Sequence, residues 1–288
     1  MSITPDGLQF PLQSPQQKPS SSKAGRAIIA AALANVAPHS SAQAQSEKNW
    51  RKLYTVHFKK LVEQGLSSPE ASLKIAEDGL AQAHQTFEFY RDGQKHLLQE
   101  VFSLPAGQLH TFKLTGHSKS APEWYVPYQG QKLQGDALLE QIERWETQGI
   151  METSHANALR ECAVHPEWFD LSDRTTVLFG AASEAGPLTW LTKWKANIVA
   201  IDLPNSRVWG KIIDTVSQGN ATLYAPCTED LPADTSPNIL KEKLGANLLT
   251  QIPEIAKWLL QFEQDLDLAA IAYLDGEKHV RVSMAMDA

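Results

Sequence analysis

Thr175-Thr-Val-Leu-Phe-Gly-Ala-Ala-Ser-Glu-Ala-Gly186, followed after ten intervening residues by Asn197-Ile-Val-Ala-Ile-Asp202, carries the plainest structural signal in the chain. Thr175 to Phe179 all favour extended backbone and run straight into Gly180, as a buried strand does where the chain must then turn sharply. Ala181, Ala182 and Ser183 keep side chains small where a phosphate-bearing ligand would approach the backbone. Gly186 falls where a following helix would pack closely on the strand. The next segment has helix length, and the second apolar run ends in Asp202, 22 residues after Gly180. The expected order is strand, glycine turn, helix, strand.

Gly180-Ala-Ala-Ser-Glu-Ala-Gly186 resembles the Gly-Ala-Ser-Ser-Gly-Ile-Gly element of the short-chain dehydrogenase/reductase family, within the Rossmann-type NAD(P)-binding superfamily; Glu184 stands in place of the middle glycine. The resemblance spans residues 175–288. It implies an α/β fold: a Rossmann-like parallel sheet with helices on both faces and a pocket at the carboxyl ends of its first two strands. Gly180, Ala181, Ala182, Ser183, Gly186 and Asp202 would hold the cofactor, and the nicotinamide would perform hydride chemistry. An acid about 20 residues beyond the first glycine suits a free ribose and repels a 2′-phosphate, so NAD is expected over NADP. Two other classes share this outline. One is an adenosylmethionine-dependent methyltransferase, whose ribose Asp202 would serve equally. The other is a non-catalytic α/β interaction protein or inactive fragment.

The family also pairs a tyrosine with a lysine four residues on, the lysine lowering the tyrosine's pKa for proton transfer. Tyr128-Gln-Gly-Gln-Lys132 matches in letters, but it precedes the nucleotide fold and has Gly130 inside what should be a helix. No catalytic residue is therefore assigned. Beyond Asp202 the alternation continues. A helix is expected over 207–216, a third strand over 221–225, an acidic proline-rich loop over 229–237, and a helix over 244–262 kinked near Pro253. A fourth, interior strand over 268–274 and a helix from Lys278 follow. Four strands fall short of a six-stranded dinucleotide fold, and the ending has no helix stop signal. Residues 174–288 thus read as a nucleotide-binding domain cut short, or as four strands whose edge the helical module covers.

The first 46 residues differ from the rest. Pro, Gln and Ser dominate to Ser22, Asp6 is the only acid before Glu47, and an alanine-rich run follows. This reads as a disordered leader ending in a short helix, with an organellar targeting segment as the alternative. Residues 47–173 read as a helical module and a connecting region. Trp50, Leu53, Tyr54, His57, Phe58 and Leu61 share one helix face, Ser68-Pro69 opens the next helix, and Leu73, Ala76 and Leu80 continue a stripe. The aromatic loop 123–130 is expected to form a seam between domains.

A net charge of −7 over 288 residues argues against a general nucleic-acid binder. No apolar run is long enough to span a membrane. Cys162 and Cys227 provide neither a disulfide framework nor metal spacing, and no histidine stands at ligand spacing, so no metal is expected and a cytoplasmic setting is. Cys227 reads as a packed thiol.

Overall fold

The computed structural model describes residues 5–12 and 18–288. In chain order these form β1 (Gly7–Gln9), α1 (Ser21–Ala34), α2 (Pro38–Ser46), α3 (Trp50–Gly65), α4 (Pro69–Thr86), β2 (Glu88–Arg91), β3 (Gln94–Leu97) and β4 (His110–Thr115). Next come β5 (Val126–Tyr128), β6 (Gln131–Leu133), α5 (Gly135–Thr147), α6 (Thr153–Val164), β7 (Thr175–Phe179), α7 (Leu188–Leu191) and β8 (Asn197–Ile201). The last elements are α8 (Ser206–Ser217), β9 (Thr222–Cys227), α9 (Pro237–Lys243), α10 (Ile252–Leu259), β10 (Leu266–Ala270) and α11 (Glu277–Asp287). The protein is α/β. Its chain divides into two compact units: Met1–Gln108 with Asn247–Gln261 and Ala272–Ala288, and Leu109–Ala246 with Phe262–Ile271.

In the first unit, residues 21–46, expected within a disordered leader, form α1 and α2. Ser20 caps α1 by accepting from the Lys23 amide, and Ala24, Ala30, Ala32 and Leu33 of α1 and Ala44 of α2 are buried. Strong alanine propensity combined with one buried face is enough to order such a segment. Residues 1–4 and 13–17 of the expected leader lie outside the described residues. The helical module expected from residue 47 holds for α3 and α4, with Ser68 accepting from the Ala71 amide as an N-cap. It fails at Glu88. Asp92 and Gly93 take φ of +53° and +74°, turning the chain back so that β2 and β3 pair antiparallel and β1 adds to β2. The expected apolar stripes also lie more open than the periodicity suggests. Of α3 only His57 is buried, and Tyr54 and Phe58 are 50% and 54% exposed.

A polar hub joins three segments of this unit. The Arg91 guanidinium donates to Glu254 Oε2 at 3.0 Å and to the carbonyls of Pro105 and Thr250, while Glu254 Oε1 accepts from the Gly107 amide at 3.1 Å. Glu254 is buried in the first turn of α10, where a carboxylate also complements the helix dipole.

The second unit is built on a mixed five-stranded sheet of order β10-β7-β8-β9-β4. β10, β7, β8 and β9 are parallel, and β4 is antiparallel to β9. The expected all-parallel sheet is thus extended by a strand from the connecting region. β10 is an edge strand and not the interior one expected, and Leu268 on it is 67% exposed. Leu188 and Leu191 of α7 and Trp209, Ile212, Ile213 and Val216 of α8 pack against Leu178, Ile198, Ala200 and Leu223 of the sheet. The helix expected over 244–262 is confined to α10, and residues 244–251 contribute no helix.

A satellite core of Leu133, Leu138, Ile142, Trp145 and Ala156 holds the β5–β6 hairpin to α5 and α6. The aromatic loop expected as an inter-domain seam packs inside this unit. Trp124 stacks on Phe169 at 5.1 Å between ring centroids, Tyr125 meets Trp190 at 4.8 Å, and Trp194 Nε1 donates to the Glu123 carbonyl. No helix of the described residues is long and apolar enough to cross a membrane.

Candidate functional site

β7 ends at Phe179, and Gly180 takes φ of +88°, a left-handed conformation that glycine adopts without strain. The turn that follows is tied to the end of β8. Gly180 and Ala181 donate their amides to the Ile201 carbonyl at 2.8 and 3.3 Å, and Ala182 donates to Asp202 Oδ2 at 2.8 Å. Inside the turn, the Ser183 amide donates to the Gly180 carbonyl and the Gly186 amide to the Ser183 carbonyl. Gly180, Ala181, Ala182, Ser183 and Asp202 are therefore gathered at the carboxyl ends of two adjacent parallel strands. Gly186 closes the turn beneath Ile271: a Cβ built on Gly186 would lie 2.6 Å from the Ile271 Cδ1.

Asp202 works as a structural acceptor. Its second oxygen, Oδ1, takes the Leu203 amide at 2.8 Å, and its main-chain carbonyl takes the Ala246 amide at 2.9 Å. Burial raises the carboxyl above the ordinary aspartate range, and the two backbone donors at Ala182 and Leu203 oppose that rise. A carboxylate has about four lone-pair sites, so two remain for a hydroxyl. The segment Leu244–Ala246 lies over this end of the sheet. Gly245 donates to the Pro226 carbonyl, and its φ of +122° brings a built Cβ to 2.7 Å from the Pro204 Cα.

Among the described residues, the amides of Glu184 and Ala185 find no acceptor. Glu184 itself is exposed. The helix expected after Gly186 is reduced to the four residues of α7. Asn220 stops it: its amide donates to the Thr192 carbonyl at 2.7 Å and its side-chain nitrogen donates to the Lys193 carbonyl at 3.0 Å. With one turn of helix, the dipole that normally draws a phosphate is largely missing.

Tyr128 and Lys132 sit on opposite strands of the β5–β6 hairpin, where Tyr128 pairs with Gln131, so they do not share a helix face. Cys227 is buried, donates to the His110 carbonyl at 3.5 Å, and has its thiol pushed up to about 11 by burial. Among the described residues no group of His, Cys, Asp and Glu could hold a metal ion. Ile271 and Leu244–Ala246 escape a sequence reading of the site, because one lies at the end of a distant strand and the other within an expected helix. Comparison with protein-family models, curated proteins and solved structures gave no match.

Proposed function

We propose that the second unit is a Rossmann-like fold that binds the adenosine end of NAD, with the oxidoreductase chemistry that its resemblance to short-chain dehydrogenases implies. One observation carries this reading. Numbered along the chain from β7, the four parallel strands lie in the order 4-1-2-3, the spatial sequence of the first four strands of a dinucleotide-binding sheet, with the glycine turn and Asp202 on its first two. On this reading Asp202 accepts from a ribose hydroxyl through its unused lone pairs, and the Glu184 and Ala185 amides face the pyrophosphate. The acidic group favours NAD over NADP.

A second reading, a nucleotide fold that has no cofactor, draws support from the same turn. Most of its amides are internally bonded, Ile271 overlies Gly186, and α7 is one turn long. Calorimetric titration of the chain with NADH, NADPH and adenosylmethionine separates them. Saturable NADH binding that is lost in Gly180→Val supports the first reading, and a ligand at 100 times its Kd would add about 2.7 kcal/mol of stability. Binding of adenosylmethionine alone moves the assignment to methyl transfer. No binding by a folded sample favours the second reading.

A further inference from the structure

A cavity of about 760 Å³ runs along one face of α8 in the second unit, with α7 as its other wall. Gly210 of α8 lines it, and a Cβ built there would meet no atom within 4 Å. Four cations line it, Lys193, Arg207, Lys211 and Lys241, against one carboxylate, Asp214. This is a local excess of positive charge in a chain whose net charge is −7.

The cations are differently held. Lys193 is positioned by donating to the Tyr125 hydroxyl at 3.2 Å and by lying over the rings of Tyr125 and Trp190. Lys241 donates to Asn238 at 2.9 Å. The side chains of Arg207 and Lys211 make no hydrogen bond or ion pair among the described residues. The hydroxyls of Thr189 and Ser206, also lining the cavity, have no hydrogen-bond acceptor among the described residues.

We propose that this groove is a binding site for a ligand carrying several linked phosphate groups, separate from the turn at Gly180 and Asp202. Its volume lies in the range of about 300–1,000 Å³ typical of small-ligand pockets. Unpaired cations sharing one cavity repel each other until an anion enters. A single phosphate carries at most two charges, too few to offset four cations and one carboxylate, whereas a chain of phosphates matches them. Arg207 supplies the planar fork suited to phosphate oxygens, and the lysines supply point charges. The phosphates could be free or carried by a nucleoside.

The test is calorimetric titration of the full chain with sodium tripolyphosphate, ATP and AMP at about 150 mM salt, where exposed charges are screened beyond ~8 Å. Tripolyphosphate should bind saturably and AMP should not. Equal affinity for ATP would make the phosphates the whole determinant; tighter ATP binding would add a nucleoside contact. Arg207→Ala and Lys211→Ala should each weaken binding about tenfold or more, since each removes a charge-assisted bond. Asp214→Asn should tighten it. Arg207, Lys211 and Asp214 are exposed, so these replacements leave the fold intact. The proposal is overturned if tripolyphosphate does not bind, if the Arg207→Ala/Lys211→Ala double variant binds as wild type does, or if sulfate competes equally.

Discussion

Replacing Asp202 by Asn separates a structural role for this residue from a ribose-binding one. Both carboxyl oxygens accept a backbone amide at 2.8 Å, from Ala182 and from Leu203. An aspartate is acceptor-only and satisfies both donors. Asn retains one acceptor and turns an amino group toward the other amide, so one donor loses its partner and meets a second donor. The expected cost is about 1–3 kcal/mol for Asn, and about 2–4 kcal/mol for Ala, which leaves both amides without the side-chain acceptor. Amide hydrogen exchange reads this locally: protection at Ala182 and Leu203 should fall about ten- to a hundredfold in Asp202→Asn, following the same free energy. Urea unfolding of the second unit should shift in parallel. The pH dependence has a definite sign. Because burial raises the folded carboxyl, its contribution is fully present below the unfolded aspartate pKa and is lost as pH rises through the folded one. The stability gap between wild type and Asp202→Ala should therefore narrow with rising pH across that window. Unchanged exchange at both amides, together with an unchanged urea midpoint, would refute the structural role.

Further expectations concern other parts of the chain. Glu254→Ala leaves the Arg91 guanidinium without its buried partner and should cost the first unit about 3–5 kcal/mol in urea unfolding, with Glu254→Gln costing less because it still accepts from Gly107. Gly219→Ala would set a Cβ 2.1 Å from the Thr192 carbonyl oxygen, a backbone atom that cannot swing aside, so a loss of about 1–3 kcal/mol or more is expected in thermal unfolding. Iodoacetamide at neutral pH should label Cys162 and spare Cys227, whose thiol is buried and pushed up to about 11; mass spectrometry of the folded protein reads the difference, and prompt labelling of Cys227 would contradict the packing described.

The parallel core was legible because its signals are local. β7 and β8 fall on the residues expected of them, α8 and β9 begin or end within one or two residues of expectation, and Asn205 caps α8 through its side chain. Apolar runs bounded by Gly180, Asp202 and Gly219 need no distant partner to be read. β4 was missed because its period-two alternation, with Phe112 and Leu114 facing the core, is short and its partner β9 lies over a hundred residues away. The β2–β3 hairpin carried a usable sign that periodicity overrode: Asp92-Gly93 is a two-residue turn pair, and the apolar spacing running into Phe87 and Tyr90 concealed it.

The candidate site divides along the same line. Gly180 to Ser183 and Asp202 lie together because a parallel β-turn-β unit with matched strand lengths must bring the ends of adjacent strands together, which is a consequence of topology alone. What the turn's amides bind is decided elsewhere. How far the helix after Gly186 runs depends on Asn220, which donates to the Thr192 and Lys193 carbonyls, and on Gly219, whose lack of a Cβ permits that approach. Neither residue belongs to the motif. α7 follows the glycine turn and lends Thr189 to the wall of the cationic groove beside α8, so one short helix borders both features. Asn220→Ala removes the side-chain bond to the Lys193 carbonyl and keeps the backbone bond to Thr192, so it should loosen Lys193 and weaken tripolyphosphate binding in the groove that Lys193 lines. Unchanged tripolyphosphate binding by a folded Asn220→Ala protein would refute the view that this bond positions Lys193.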